Sequence, residues 1–277
     1  MQTTTLALVG ATGGAGTTRT AVELAAMGAR DGRDVAVVDA AFTTQGLSEY
    51  VAGRIDPDLT ALLTEDPDAA LSAAAYPITG TRAGERRRNG EGVGADDGGT
   101  DLPGRLDAVP ARAPFERVAR AKTAEAGRKL ERRIDEAATT YDAVIVDAAP
   151  VGSNEAVAAA TSVDRTVAVR PATAHGRDAT QRLRGRIADV GAGLDATLAV
   201  ERSGAGDSDG AGDGGEENES DAGVVRLPET EPAVAAAPTA VGNHAYARAV
   251  ATAYEVAFDT SLGVEFPDAG LIERFTP

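Results

Sequence analysis

The stretch that most constrains this chain is residues 6–19, LALVGATGGAGTTR. Four apolar residues, Leu6 to Val9, run into a loop with four glycines in seven positions, and a helix-like pattern begins at once. A buried strand that turns tightly and opens on a helix N-terminus is a common way to hold a phosphate. The glycines let the backbone approach the anion, while the first-turn N–H groups and the helix dipole bind it.

The loop fits two registers. In one, Gly10, Thr12, Gly13, Gly14, Ala15, Gly16, Thr17 and Thr18 lie on the phosphate-loop pattern G-x-x-x-x-G-K-[ST], with Thr17 where the lysine belongs. In the other, Gly10, Gly13 and Gly16 form a G-x-x-G-x-x-G turn of the NAD(P)-binding, dehydrogenase-like kind. The loop by itself admits both.

The elements that follow point to one architecture. Residues 18–31 carry Ala21, Leu24, Ala25 and Gly28 at helical spacing, and Val35 to Val38 is an apolar strand closing on Asp39. Strand, loop, helix and strand in about 35 residues make a right-handed βαβ unit. Further strands are expected at 106–109, 141–147, 167–169, 194–200 and 224–228. Helices are expected at 59–75 with a break at Asp66-Pro67, and at 116–138, 177–190 and 243–258. Alternation of this kind predicts an α/β fold in one domain over residues 1–277, a doubly wound, mostly parallel sheet with helices on both faces. Two segments interrupt it. Residues 80–104 contain eight glycines, and residues 203–223 contain seven glycines and seven acids without a base. Both are expected to be flexible insertions, because they cannot bury enough apolar surface to order themselves.

Composition narrows the chemistry. The chain has 277 residues with 43 acids against 27 bases, a net charge of −16. Lys122 and Lys129 are its two lysines, the other bases being arginines. Such a balance is expected of a protein working in very high salt, where a Debye length of about 3 Å at 1 M lets dense acidic charge coexist. An ordinary acidic protein from a GC-rich genome is the other reading. With no cysteine, disulfides and thiol chemistry are excluded, and His175 and His244 stand too far apart to suggest a metal site. No apolar run approaches the roughly 20 residues that span a bilayer. The N-terminus has no secretion-signal pattern, so a cytoplasmic protein is expected.

The later strands bring in a family. VAVVDAAFTTQG at 35–46 resembles the second strand and switch region of the MinD/ParA group of P-loop ATPases, with Asp39 at the switch aspartate. YDAVIVDAAP at 141–150 is similar to their Walker B strand, with Asp147 at its aspartate. SVDRTVAVRP at 162–171 and VVRLPETEPAVAAA at 224–237 resemble the next strand and the loop over the base. The resemblance implies ATP and Mg²⁺, with Thr18, Asp39 and Asp147 at the metal and its water. It also implies Arg19 beside the phosphate loop, and Pro228 and Glu229 near the base. A nucleotide-dependent homodimer is implied as well. The dehydrogenase reading would ordinarily bring a Tyr-x-x-x-Lys pair, and none of the five tyrosines has a lysine four places on.

Two departures stand out. Both lysines that the family carries in this loop are threonines here, Thr12 and Thr17. A preorganised charge on a transferring phosphoryl group is worth about 10²–10³ in rate, so hydrolysis is expected to be weak or absent. Against the switch stand two bland readings: a loop that merely closes a tight turn, and a pseudo-ATPase scaffold without nucleotide. At the base position, where the family tends to Asn-Arg, this chain has Glu201-Arg202. The C-terminal stretch lacks the basic amphipathic helix through which MinD-type proteins bind membranes, so no membrane partner is expected. Eight bases between 112 and 133 could touch DNA, although a solvated helix face with internal ion pairs is the stronger expectation.

Overall fold

A computed structural model describes residues 3–83, 100–202, 223–242 and 244–266. Strand β1 (Thr4–Gly10) lies at the centre of an eight-stranded sheet. On one side of it come β7 (Ala143–Ala148), β2 (Val35–Ala40), β6 (Leu106–Val109) and the short edge strand β3 (Tyr76–Pro77). On the other come β8 (Arg165–Pro171), β9 (Ala196–Val200) and β10 (Val224–Leu227). All pairings are parallel except that of β3 with β6.

The central strands are apolar on both faces because both faces are covered. Leu6 and Leu8 of β1 and Val35 and Val37 of β2 point into one core, while Ala7, Val9, Ala36 and Val38 point into the other. The first core is closed by α1 (Thr17–Arg30) and α7 (Ala245–Phe258), through Leu24, Met27, Val250 and Tyr254. The second is closed chiefly by α4 (Ala124–Thr140), α5 (Asn154–Thr161) and α6 (Ala174–Asp189), with Leu130, Ile134, Leu183 and Ile187 inside. The doubly wound fold expected from the alternation of elements is the fold found.

Some expectations change in detail. The single helix expected over 116–138 is two, α3 (Phe115–Ala121) and α4, because Thr123 turns the chain and its hydroxyl accepts the Ala126 N–H at 3.3 Å. The expected break at Asp66-Pro67 separates α2 (Leu59–Thr64) from a single 3₁₀ turn at Leu71–Ala74. At the ends of the first glycine-rich segment, β4 (Thr81–Ala83) and β5 (Thr100–Leu102) pair in parallel. The remainder of that segment, 84–99, and residues 203–222 of the second lie outside the described residues. The basic stretch at 112–133 is largely paired. Arg117 reaches Asp58 and Glu65, Arg120 reaches Glu65, Lys122 reaches Glu155, Lys129 reaches Glu125 and Arg133 reaches Glu136. Among the described residues no helix is long and apolar enough to cross a membrane.

Candidate functional site

The candidate nucleotide and metal residues close or follow the C-terminal ends of β1, β2, β7 and β10, where the strand order turns outward from β1. Such a crevice is where open α/β sheets bind ligands. The loop from Ala11 to Gly16 leaves β1 with its first amide anchored, the Ala11 N–H donating to the Val169 carbonyl at 2.8 Å. The Ala15 N–H closes a turn on the Thr12 carbonyl at 3.3 Å. Gly16, at the N-cap of α1, has φ 90°, a left-handed conformation that a side chain would strain. It offers no side-chain cap, so the first-turn N–H groups, which a helix cannot satisfy internally, are left without one. Gly10 is required for a different reason. A Cβ there would stand 2.8 Å from the Thr17 hydroxyl and 3.2 Å from the Thr12 carbonyl. Thr17 thus folds back over the start of the loop.

On the β7 side lie the two aspartates. Asp39 and Asp147 stand opposite each other in the β2–β7 register, 0% and 1% exposed. They are not equivalent. One Asp39 oxygen accepts the Ala41 N–H at 2.9 Å and the other the Ala111 N–H at 3.2 Å, so this carboxylate ties together the chain leaving β2 and the chain leaving β6. Neither Asp147 oxygen has a hydrogen-bond partner. Burial, then the charge of Asp147, raise the Asp39 pKa well above the usual carboxylate range. Burial likewise raises that of Asp147, opposed by the Thr18 hydroxyl, which stands close by without completing a hydrogen bond. Two facing buried carboxylates, one of them with both oxygens orphaned, are an unstable arrangement unless a cation or proton joins them.

The residues present fit Mg²⁺ of the phosphate-borne kind. Among the described residues no group of three or more His, Asp or Glu gathers into a protein-only metal site. Magnesium keeps waters and takes one or two carboxylates plus phosphate oxygens, which suits the Asp147 oxygens and the Thr18 hydroxyl.

On the β9–β10 side the loop opens into a cleft of about 410 Å³. Gly16, Arg19 and Thr20 form its inner wall, and Pro228 and Glu229 its outer one, with Arg202 at the end of β9. Pro228 and Glu229 are thereby brought to the same crevice as the phosphate loop.

Arg19, in the first turn of α1, is held by three partners. Its Nε donates to Glu23 at 2.6 Å, its Nη2 to the Thr239 hydroxyl at 2.7 Å and its Nη1 to the Ala233 carbonyl at 3.3 Å. Glu23, 0% exposed, also accepts the Thr239 N–H at 2.9 Å and the Ala240 N–H at 2.7 Å. The pair holds the chain that follows β10 against α1 and so fixes the outer wall of the cleft. Sequence reasoning missed Glu23 and Tyr246, which also lines the cleft. The signal for Glu23 was there: one acid, four places after Arg19, in the otherwise apolar run AVELAAMGA.

The strand order speaks against the dinucleotide register of the loop. In the dinucleotide-binding order the second strand adjoins the first, which is how its terminal acid reaches the ribose. Here β7 lies between β1 and β2, so Asp39 is one strand removed and the carboxylate next to the loop is Asp147. The G-x-x-G-x-x-G reading, and the dehydrogenase-like protein it suggested, is therefore set aside.

No family model matches this chain, and neither does any curated protein. Solved structures do. The septum site-determining protein MinD from Pyrococcus horikoshii OT3, complexed with Mg-ADP, superposes with a TM-score of 0.60 at 19% identity over 82% of each chain. Cyanothece McdA in complex with ATP gives 0.64 at 14% identity, over 95% of this chain and 99% of that one. Cobyrinic acid a,c-diamide synthase from Mycobacterium smegmatis, with an ATP analog and magnesium, gives 0.54 at 17% over 72% of each. At such identities the likeness establishes the fold alone, the doubly wound sheet that these proteins share with this chain.

Proposed function

We propose that this chain is a MinD/ParA-like nucleotide-binding switch that takes ATP with Mg²⁺ and hydrolyses it slowly or not at all. The observation that carries this reading is Asp147, fully buried beside the phosphate loop with both oxygens unpartnered. A protein has little reason to keep such a group unless a ligand completes it. In this reading the backbone of Gly10, Gly13, Gly14, Ala15 and Gly16 receives the phosphates. The hydroxyls of Thr12, Thr17 and Thr18 line the same loop, and Arg19 borders it. Thr18 and Asp147 hold the metal, Asp39 positions the loops around it, and Pro228 and Glu229 flank the base. When bound, magnesium neutralises phosphate charge and orders a water. Without lysines at positions 12 and 17, the protein's own contribution to that charge balance is small, which favours binding over turnover.

The chain works on this reading as one domain over 1–277 with glycine-rich insertions at 80–104 and 203–223, in a cytoplasm of high salt, and pairs with a second copy when nucleotide is bound. Saturable binding of labelled ATP with Mg²⁺ in molar KCl is the expected result, and its absence would overturn the proposal. A nucleotide-free scaffold is the second reading. Asp39 favours it, since both of its oxygens are already committed to backbone amides. Sizing the protein with and without ATP separates the two: a dimer that appears only with nucleotide supports the switch, and indifference supports the scaffold.

A further inference from the structure

Two arginines reach the cleft beside the phosphate loop, and they are used differently. Arg19 is committed on three sides, to Glu23, Thr239 and Ala233. Arg202 makes no hydrogen bond or ion pair with any described residue, although it lines the same cleft. Its placement is set by the sheet: the Glu201 N–H donates to the Leu227 carbonyl at 2.9 Å, extending the β9–β10 pairing to the residue before it. From there the guanidinium reaches over the N-terminus of α1. Its Nη2 lies 3.4 Å from where a Cβ of Gly16 would stand, a space that stays open because position 16 has no side chain.

We infer that Arg202 is the cation that faces the phosphates of the ligand, supplying from the end of β9 a charge that the loop itself lacks at Thr12 and Thr17. The inference rests on the phosphate-loop reading above. Three facts on one crevice support it. The loop between Gly10 and Thr18 contains no base. Two carboxylates, Glu201 and Glu231, line the cleft beside Arg202, so an entering polyphosphate needs a positive group to offset them. Arg19 cannot be that group without releasing buried Glu23. A guanidinium also suits the task, because its planar fork pairs with two phosphate oxygens at once and stays charged at any working pH. In molar salt long-range attraction is screened, so a contact of this kind carries the recognition.

Calorimetry in molar KCl with MgATP, MgADP, adenosine and tripolyphosphate tests this on four proteins: the wild type, Arg202→Ala, Arg202→Lys and Arg177→Ala. Arg177, exposed on α6, controls for the loss of one positive charge. Arg202→Ala is expected to weaken ATP, ADP and tripolyphosphate about tenfold, leaving adenosine unchanged. Arg202→Lys should recover part of the loss, and Arg177→Ala should show none. Wild-type affinity in Arg202→Ala, or an equal loss in Arg177→Ala, overturns the inference. Tighter binding in Arg202→Ala also overturns it, because the guanidinium would then be a plug. If the wild type binds tripolyphosphate through Arg202 but no nucleotide, the nucleotide reading falls and the inference stands. If it binds neither, both fall.

Discussion

On the β7–β2 side of the phosphate loop, Asp147 and Asp39 face each other in register with almost no exposure. On the β9–β10 side the buried carboxylate is Glu23, closed off by a guanidinium and two backbone amides. Both sides bury negative charge, yet only one leaves it unsatisfied. A buried carboxylate with its full set of donors is a structural joint; one with none is either a cost or a ligand site. Glu23 and Asp39 belong to the first kind and Asp147 to the second. The comparison thus separates structural joint from candidate ligand site among three buried carboxylates.

The sharpest way to break it is Glu23→Ala. Three hydrogen bonds go and Arg19 is left without its ion pair, so urea unfolding should show a loss of about 3 kcal/mol. A loss under 1 kcal/mol would mean that the outer wall of the cleft is held by something else. Next come the aspartates. Asp39→Asn should cost about 2 kcal/mol, because an amide nitrogen cannot accept the N–H of Ala41 or Ala111. Asp147→Asn should move the other way, raising the melting temperature of ligand-free protein while abolishing Mg²⁺-dependent binding. Equal effects in the two variants would erase the distinction.

Restoring Thr17→Lys should tighten ATP about tenfold, roughly 1.4 kcal/mol, by adding a charge-assisted contact at the phosphates. No change would place the phosphates away from position 17. The smallest effect expected is on pH dependence. Both aspartates have pKa values raised by burial, so the folded state holds a proton that the unfolded chain releases near pH 4. Stability conferred by these groups is therefore complete below about pH 4 and declines as pH rises through the raised folded values. Denaturation midpoints of ligand-free protein should fall across that range, and less so in Asp147→Asn. A flat profile in the parent would show that the pair does not share a proton.

Much of the site was legible because the chemistry is local. Gly10 to Thr18 sits in one turn, and Asp39 and Asp147 each close an apolar run. Other features were hidden for physical reasons. Helix α5 is short, and its NEAVAAAT offers little contrast between faces, so periodicity does not announce it. The break between α3 and α4 depends on one threonine cap inside an otherwise continuous helical pattern. Glu23 was invisible as a joint because its partners, Thr239 and Ala240, lie more than 200 positions away.

The sequence by itself determined most of the elements, their alternation and the tight glycine turn in LALVGATGGAGTTR, since periodicity and glycine spacing act over a few residues. The loop alone did not choose between a phosphate loop and a dinucleotide turn, and the later strands favoured the first. The folded chain adds an independent argument, β7 entering the sheet between β1 and β2, a pairing across more than a hundred residues. The same tertiary contacts tied Asp39 to backbone amides, locked Arg19 to Glu23, and left Asp147 and Arg202 uncommitted at the loop. Hydrogen-bond satisfaction is a property of what surrounds a residue, and only the folded chain supplies those surroundings.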